Sequence, residues 1–252
     1  MDVRLENYTS EDLVRAASRI RGVILPLASV EILGAHGPVG LDLKVAGAAA
    51  EAVAERADCL FAPAVPYGDT LEFAGMAGTV HVPADVLESY LYAVSKSLLT
   101  ACRMPAVIFL SVHSLDNIAA QAVCRRLKQE GFRTGTADWW AAVGSAGAEL
   151  LADPSVGRGH GSELITSVAL AVCPECVRMD RIIPERPKDG LAAVSRWNGT
   201  PFRMFGDFRD YCESGAWGNA PDATAGKGAE LFRLGVESVA SFIREAFPLP
   251  EH

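Results

Sequence analysis

The amino-acid sequence predicts an α/β protein, a three-layer α/β/α arrangement around a mostly parallel central sheet. Three observations carry this. Short apolar runs such as RGVILPLAS (21–29) and AVIFLSV (106–112) show no inside–outside alternation, which marks strands covered on both faces. Segments of helical period separate these runs, so strand and helix alternate along the chain as they do in parallel crossover units. Finally, 252 residues, half of them hydrophobic, supply ample core for one large domain.

In chain order, RGVILPLAS (21–29) is the first buried strand and the Ala-rich VAGAAAEAVAERAD (45–58) the helix after it. CLFAPAV (59–65) is the second strand, and PADVLESYLYAVSKSLLTAC (83–102) a long amphipathic helix opened by Pro and Asp. AVIFLSV (106–112) is the clearest strand; DNIAAQAVCRRLKQEG (116–131) is its helix, closed by Gly131. FRTGTADWW (132–140) begins as a fourth strand. Segments 22–28, 58–64 and 106–112 are expected to be neighbouring parallel strands. Residues 184–222, rich in Pro, Gly, aromatics and Arg, interrupt the pattern before TAGKGAELFRLGVESVASFIREAF (224–247) forms a closing helix. No linker or repeat divides the chain, so a single domain over 1–252 is expected.

Charge and composition exclude several function classes. The chain carries 23 Lys+Arg against 31 Asp+Glu, a formal net charge of −8, with no basic run. That argues against a nucleic-acid or anionic-membrane partner. The apolar runs are too short for a bilayer span, and the polar, acidic start MDVRLENYTSEDL does not read as a signal peptide. A cytoplasmic enzyme or binding domain is expected. Six cysteines are too sparse for a disulfide scaffold. Cys59 and Cys102 lie in apolar segments. Cys173 and Cys176 have C-x-x-C spacing but close a helical run, and no second ligand pair accompanies them, so neither a redox nor a zinc motif is assigned.

In open parallel sheets ligands bind beyond the carboxyl ends of the strands. After the first strand, SVEILGAHGPVGLDL places Glu31, His36 and Asp42 in a turn-rich loop. After the 106–112 strand, SVHSLDN supplies His113 and Asp116, and VGRGHGSELITS offers His160 and Glu163 at the start of another helix. Three of the five histidines thus sit beside carboxylates; His81, within TVHVP, and the final His252 do not. Each residue alone reads as a hydrogen-bonding loop residue. Together, Asp, Glu and His at one sheet edge form the ligand set for zinc, manganese or iron.

These segments resemble the creatininase (creatinine amidohydrolase) family of metal-dependent hydrolases. ASVEILGAHGPVGLD (28–42) is similar, without gaps, to the family's first motif, matching at Glu31, Gly34, His36, Pro38, Gly40 and Asp42. The likeness continues in order through YGDTLEFAGMAGTV (67–80), FLSVHSLDN (109–117), GHGSELITS (159–167) and the closing stretch 215–228. The resemblance implies a metal centre built from Glu31, Asp42 and His113, with Asp42 in the bridging position. Leu33 stands where the family places the histidine that chiefly holds a second metal, and Ile165 stands at a second glutamate. A shifted alignment would give that histidine's role to His36. Asp116, beside Asn117, would keep a carboxylate near the second position. One divalent ion per chain is therefore expected rather than two.

His160, a histidine whose ordinary pKa lies near working pH, is expected to hand a proton to the leaving group, and Glu163, read as one turn further along the same helix face, is a further ligand, orients that histidine, or is a helix-N-terminal carboxylate favoured by the dipole. Trp139 and Trp140 lie where the family has tryptophan near its pocket, one facing the site and the other the core; with Tyr67 they are the expected substrate contacts. Trp197 and Trp217 are read as packing or subunit contacts, Arg203 and Arg209 as solvated surface. The implied reaction is hydrolysis of a cyclic amide or other small amide by metal-activated water. Opening of a cyclic keto-polyol or lactone is the alternative within the family, and a metal-poor binding or assembly subunit the alternative outside catalysis. A homo-oligomer, a hexamer by resemblance, is expected, with section 196–217 at its interface.

Overall fold

The computed structural model describes residues 2–186 and 206–250. The chain forms helix α1 (Ser10–Ala17), strand β1 (Val23–Leu27), α2 (Leu41–Arg56), β2 (Leu60–Phe61), α3 (Ala84–Thr100), β3 (Val107–Ser111), α4 (Asp116–Gln129), β4 (Thr134–Asp138), α5 (Trp139–Ala146), α6 (Glu163–Val172), the single turn α7 (Phe208–Tyr211) and α8 (Ala225–Ala246), with 3-10 turns between them. The four strands make one parallel sheet in the order β2-β1-β3-β4. The register pairs Val23 with Val107 and Leu27 with Ser111, then Ser111 with Asp138, so the carboxyl ends of three strands are level.

Alternating side chains of the central strands serve two cores, which is why these runs read as continuously apolar. Val23, Leu25, Leu27, Val107 and Phe109 pack with Leu87, Leu91 and Leu98 of α3 and with Ala120, Val123 and Leu127 of α4. Ile24, Ile108 and Leu110 pack on the opposite face with α2, α5, α6 and α8. The Ala-rich run of α2 lies there, its Ala46, Ala49 and Ala50 fully buried. Trp139 at the start of α5 is likewise buried in that core, edge-on to Phe232 at 5.3 Å.

Several boundaries depart from the sequence reading. The second strand is cut to two residues: Leu60 and Ala62 N–H donate to the Gly22 and Ile24 carbonyls, but the next donor to β1 is Val65, to the Pro26 carbonyl at 2.9 Å, one residue beyond the regular alternation. Helix α2 starts four residues before the expected position 45, so Asp42 belongs to its first turn rather than to the preceding loop. The fourth strand ends where Asp138 caps α5, its carboxylate accepting from Ala141 N–H at 3.0 Å. Trp197, Arg203 and His252, and residues 187–205 of section 184–222, lie outside the described residues. Among the described residues no helix is long and apolar enough to cross a membrane.

The crossing of α6 and α8 depends on glycine. A Cβ on Gly228 would stand 1.8 Å from the Ser167 carbonyl oxygen, whereas one on Gly226 would meet nothing within 4 Å. Gly228→Ala should therefore lower the melting temperature by several degrees, the cost of overpacking (~1–3 kcal/mol or more) exceeding the helix-propensity gain of about 1 kcal/mol. Gly226→Ala should leave it unchanged or raise it. Calorimetric melts of the two variants check this; equal melting would contradict the packing.

Candidate metal centre

The loop after β1 is folded by its own backbone. Glu31 N–H donates to the Val39 carbonyl at 2.9 Å and Val80 N–H to the Val30 carbonyl at 2.9 Å, which aims Glu31 inward at the sheet edge. Asp42 arrives from the first turn of α2, where the helix dipole favours an anion, and Ser29 Oγ donates to its Oδ2 at 3.1 Å. His113 follows β3, tethered by Val112 N–H donating to the Leu27 carbonyl at 2.8 Å. Glu31, Asp42 and His113 thereby place one potential ligand atom each within 4.8 Å of one another, all three buried.

The protonation pattern follows from the partners. His113 Nε2 lies 2.9 Å from the Asp69 carbonyl, which can only accept, so Nε2 carries hydrogen and Nδ1 faces the carboxylates. Nδ1 is 3.0 Å from Glu31 Oε2 and 3.9 Å from Asp42 Oδ2. The first contact is close but misaligned, and Glu31 Oε2 is left buried without a hydrogen-bond partner. Burial works to raise the pKa of Glu31, but His113 and His160 beside it hold it well below the ordinary carboxylate range. Asp42 is pushed up, first by burial and then by the Glu31 charge. His113 is pushed up to about 10: burial opposes this, but the carboxylates around it, Glu31 foremost, prevail. Two carboxylates and one imidazole nitrogen, convergent and with an orphaned oxygen, fit a divalent cation.

His160 stands over this cluster. Its Nε2 is 2.9 Å from Glu31 Oε1 and its Nδ1 3.0 Å from the Gly215 carbonyl. Phe73 stacks on the ring at 4.4 Å and Phe208 meets it edge-on at 5.0 Å. Sequence reasoning missed both phenylalanines. Phe73 lies inside the 67–80 motif, whereas Phe208 comes from a stretch with no signal of its own.

The other expected site residues are distributed less simply. Glu163, expected beside His160 on one helix face, points elsewhere: α6 begins at Glu163, His160 precedes it, and Gly161 at φ +60° turns the backbone between them. The buried Glu163 carboxylate accepts from Ala152 N–H at 3.0 Å and pairs with Lys227 of α8. His36 is outside the three-residue cluster, its Nε2 lying 3.1 Å from both the Gly161 carbonyl and Thr166 Oγ1; burial holds it below the ordinary histidine range. Asp116 is also outside that cluster. Its Oδ1 accepts from Asp69 N–H at 2.7 Å, its Oδ2 is buried without a partner, and burial pushes its pKa up to about 6.

A cavity opens onto the cluster, walled by Leu33, Val112, Trp140, Leu164 and Ile165. Trp140 therefore faces the cavity while Trp139 is core. Tyr67, 47% exposed, does not line it. Trp217 is buried beside Phe73 and Phe208, and Arg209 is an exposed residue reaching the Gly75 carbonyl. Arg158 and Ser114 line the cavity without having been read from the sequence; no motif position distinguished them.

Comparison with known proteins finds relatives over nearly the whole chain. The sequence matches the creatininase family, described as creatinine amidohydrolase, over residues 6–243. It is 30% identical to a mycofactocin precursor peptide peptidase of Mycobacterium ulcerans (strain Agy99), over 91% of this chain and 87% of that protein. A protein of the same description from Mycolicibacterium smegmatis is 27% identical over 92% and 87%. Among solved structures, a manganese creatininase superimposes with a TM-score of 0.78 at 21% identity, covering 98% of this chain and all of that one. A putative creatinine amidohydrolase from Bacteroides fragilis does so with 0.74 at 23% identity, covering 100% and 97%. The match over nearly the whole length shows that the chain belongs to the creatininase family of metal-dependent hydrolases.

Proposed function

We propose that this enzyme is a peptidase, hydrolysing an amide bond of a peptide with the help of one divalent cation. The observation that carries the reading is the buried convergence of Glu31, Asp42 and His113 at the floor of a cavity that also holds His160. The substrate class moves from the expected cyclic amide to a peptide because relatives up to 30% identical are named peptide peptidases. The apolar wall of Leu33, Val112, Trp140, Leu164 and Ile165 suits an apolar residue next to the scissile bond. Zinc, manganese or iron would each suit the donor set. A closed homo-oligomer, hexameric by family resemblance, and a cytoplasmic location belong to the same proposal.

Glu31, Asp42 and His113 would hold the cation. Leu33, 4% exposed at the cavity wall, offers no donor, and His36 is engaged with Gly161 and Thr166, so one ion per chain is the proposed content. When bound, the cation supplies a lowered pKa for its coordinated water and polarises the scissile carbonyl. The Gly215 carbonyl keeps hydrogen on His160 Nδ1 and the Glu31 carboxylate accepts from Nε2, which makes Nε2 the atom that would give a proton to the departing amine. Glu31 Oε1, 2.9 Å away, stabilises the ring while it is charged, and Phe73 and Phe208 fix its plane. Glu163 is a positioning residue: by tying the start of α6 to α8 it holds the loop that carries His160.

Protein purified without chelator should contain close to one ion per chain by elemental analysis. Asp42→Ala should abolish the content and Leu33→His should raise it toward two. Two ions in the unmodified protein, with His36 among their ligands, would overturn the assignment.

The ordinary pKa of histidine is about 6.5 and that of Asp about 3.9, and both His113 and Asp42 are raised in the cation-free fold. Protons therefore occupy the donors near neutral pH and must leave as the ion enters, so affinity should rise with pH up to about 10, the value to which His113 is pushed. Calorimetric titration in buffers of different ionisation enthalpy should show net proton release. No release would contradict the assignment.

The functional test is cleavage of a peptide library by the metal-loaded protein, followed by mass spectrometry, with creatinine as the cyclic-amide comparison. His160→Gln should keep its metal and lose about 10²–10⁴-fold in kcat. Cleavage of creatinine but of no peptide, or an unimpaired His160→Gln, would defeat the reading.

A further inference from the structure

The loop that carries His160 brings a second charged group to the same cavity. Residues 157–160 read Gly-Arg-Gly-His. The backbone on both sides of Arg158 is held tightly. Gly157 N–H donates to the Asp153 carbonyl at 2.7 Å, and the Gly157 carbonyl accepts from Leu164 N–H at 3.0 Å and from Ser162 Oγ at 2.7 Å. A Cβ on Gly159 would come within 2.4 Å of the Trp217 carbonyl oxygen. The stem of Arg158 is placed as well: its Cδ lies 3.4 Å from where a Gly144 Cβ would stand, one helical turn along α5 from Trp140. Arg158 and Trp140 both form part of the cavity wall.

Yet Arg158, among the described residues, makes no hydrogen bond and no ion pair. Some arginines are paired, as Arg4 with Glu51, Arg15 with Asp12, Arg233 with Glu230 and Arg244 with Glu237, and others such as Arg19 and Arg125 are not; what sets Arg158 apart is its place in the cavity wall. In a chain of net charge −8, a guanidinium on a fixed loop beside a reaction site has a planar fork of donors free for an incoming anion. We propose that Arg158 is a substrate-binding residue that pairs with a carboxylate of the peptide, so that the enzyme selects peptides with an anionic group close to the scissile amide. This rests on the peptidase reading above and names the feature of the peptide that the site selects. The carboxylate has two possible sources, the carboxy-terminus of the peptide or an Asp or Glu side chain within it.

Binding is measured separately from turnover, by calorimetric titration of the manganese-loaded full-length protein. The probes are N-acetyl-Ala-Phe, its carboxy-terminal amide, and N-acetyl-Glu-Phe-amide. At least one carboxylate probe should bind about 10–100-fold more tightly than the neutral amide, the range expected for hydrogen bonds to a charged group; which one does so identifies the source. Arg158→Gln should bring that probe to the affinity of the neutral amide without changing the amide itself, and Arg158→Lys should recover part of the difference. Arg158 is exposed, so both variants should fold, and their melting curves check that they do. Equal binding of acid and amide, no binding of any probe, or a carboxylate preference that survives Arg158→Gln would overturn the proposal, the last by assigning the preference to the cation. A preference lost in Arg158→Gln while no peptide is ever cleaved would strike the peptidase reading and leave Arg158 as a carboxylate-binding residue. Cleavage of peptides with no dependence on Arg158 would do the reverse.

Discussion

The constraint on which the rest of the structure depends is the burial of two carboxylates, Glu31 and Asp42, at the carboxyl edge of one parallel sheet. A buried carboxylate is costly unless opposite charge and hydrogen bonds surround it. Here His113 and His160 contact Glu31, Ser29 donates to Asp42, and Asp42 sits in the first turn of α2. The imbalance that remains is visible: Glu31 is held ionised while Asp42 is driven toward the neutral acid. A cation removes that conflict by allowing both carboxylates their charge at once. The fold therefore tolerates an arrangement that would be hard to explain as a feature of stability alone.

Much of the surrounding loop structure exists to hold this cluster. Asp69 serves with its backbone rather than its carboxylate: its carbonyl fixes the tautomer of His113, and its N–H donates to Asp116 Oδ1. Such a double contact requires the 67–70 turn to approach closely. A Cβ on Gly68 would lie 2.3 Å from both Asp116 carboxylate oxygens, so the close approach demands glycine. On the other side, Phe73 and Phe208 enclose His160, and the Glu163–Lys227 pair ties the start of α6 to α8. The residues that touch the reaction centre are few, and those that orient them come from nearly every loop at that edge.

The strands and the order of the helices were legible because burial on both sheet faces leaves a one-dimensional trace, a run of apolar residues without alternation. Glu31 and His113 were legible for a related reason: each comes within four residues of a strand's end, so sequence position predicts the edge of the sheet, whereas Asp42 was legible from the motif it shares with Glu31. Side chains on the far side of a tight turn were not legible in this way. Glu163 is three residues from His160, yet Gly161 adopts a left-handed conformation that sends the two side chains to different partners. His36 shares a motif with Glu31, but Gly34 at φ +67° lies between them and the His36 ring meets Gly161 and Thr166 instead. Arg158 and Phe208 carried no trace at all, since an exposed arginine and a loop phenylalanine have many uses, and their proximity to His160 is a tertiary fact.

Leu33 joins these levels. Its side chain fills wall space next to Glu31, and a Cβ on Gly37 would come within 2.6 Å of Leu33 Cδ2, so the turn at 33–37 is packed around it. An apolar residue there does two things at once. It withholds a donor from any second ion, and it extends the hydrocarbon surface formed with Val112, Leu164 and Ile165 down to the reaction centre. Ile165 acts in the same sense, adding hydrocarbon to the cavity lining. With apolar side chains at both positions, the acidic groups lining the cavity are Glu31 and Asp42, and Arg158 lines it without a partner among the described residues. On the proposed reading, the apolar side chain that limits the site to one ion is the same one that leaves Arg158 available to the substrate.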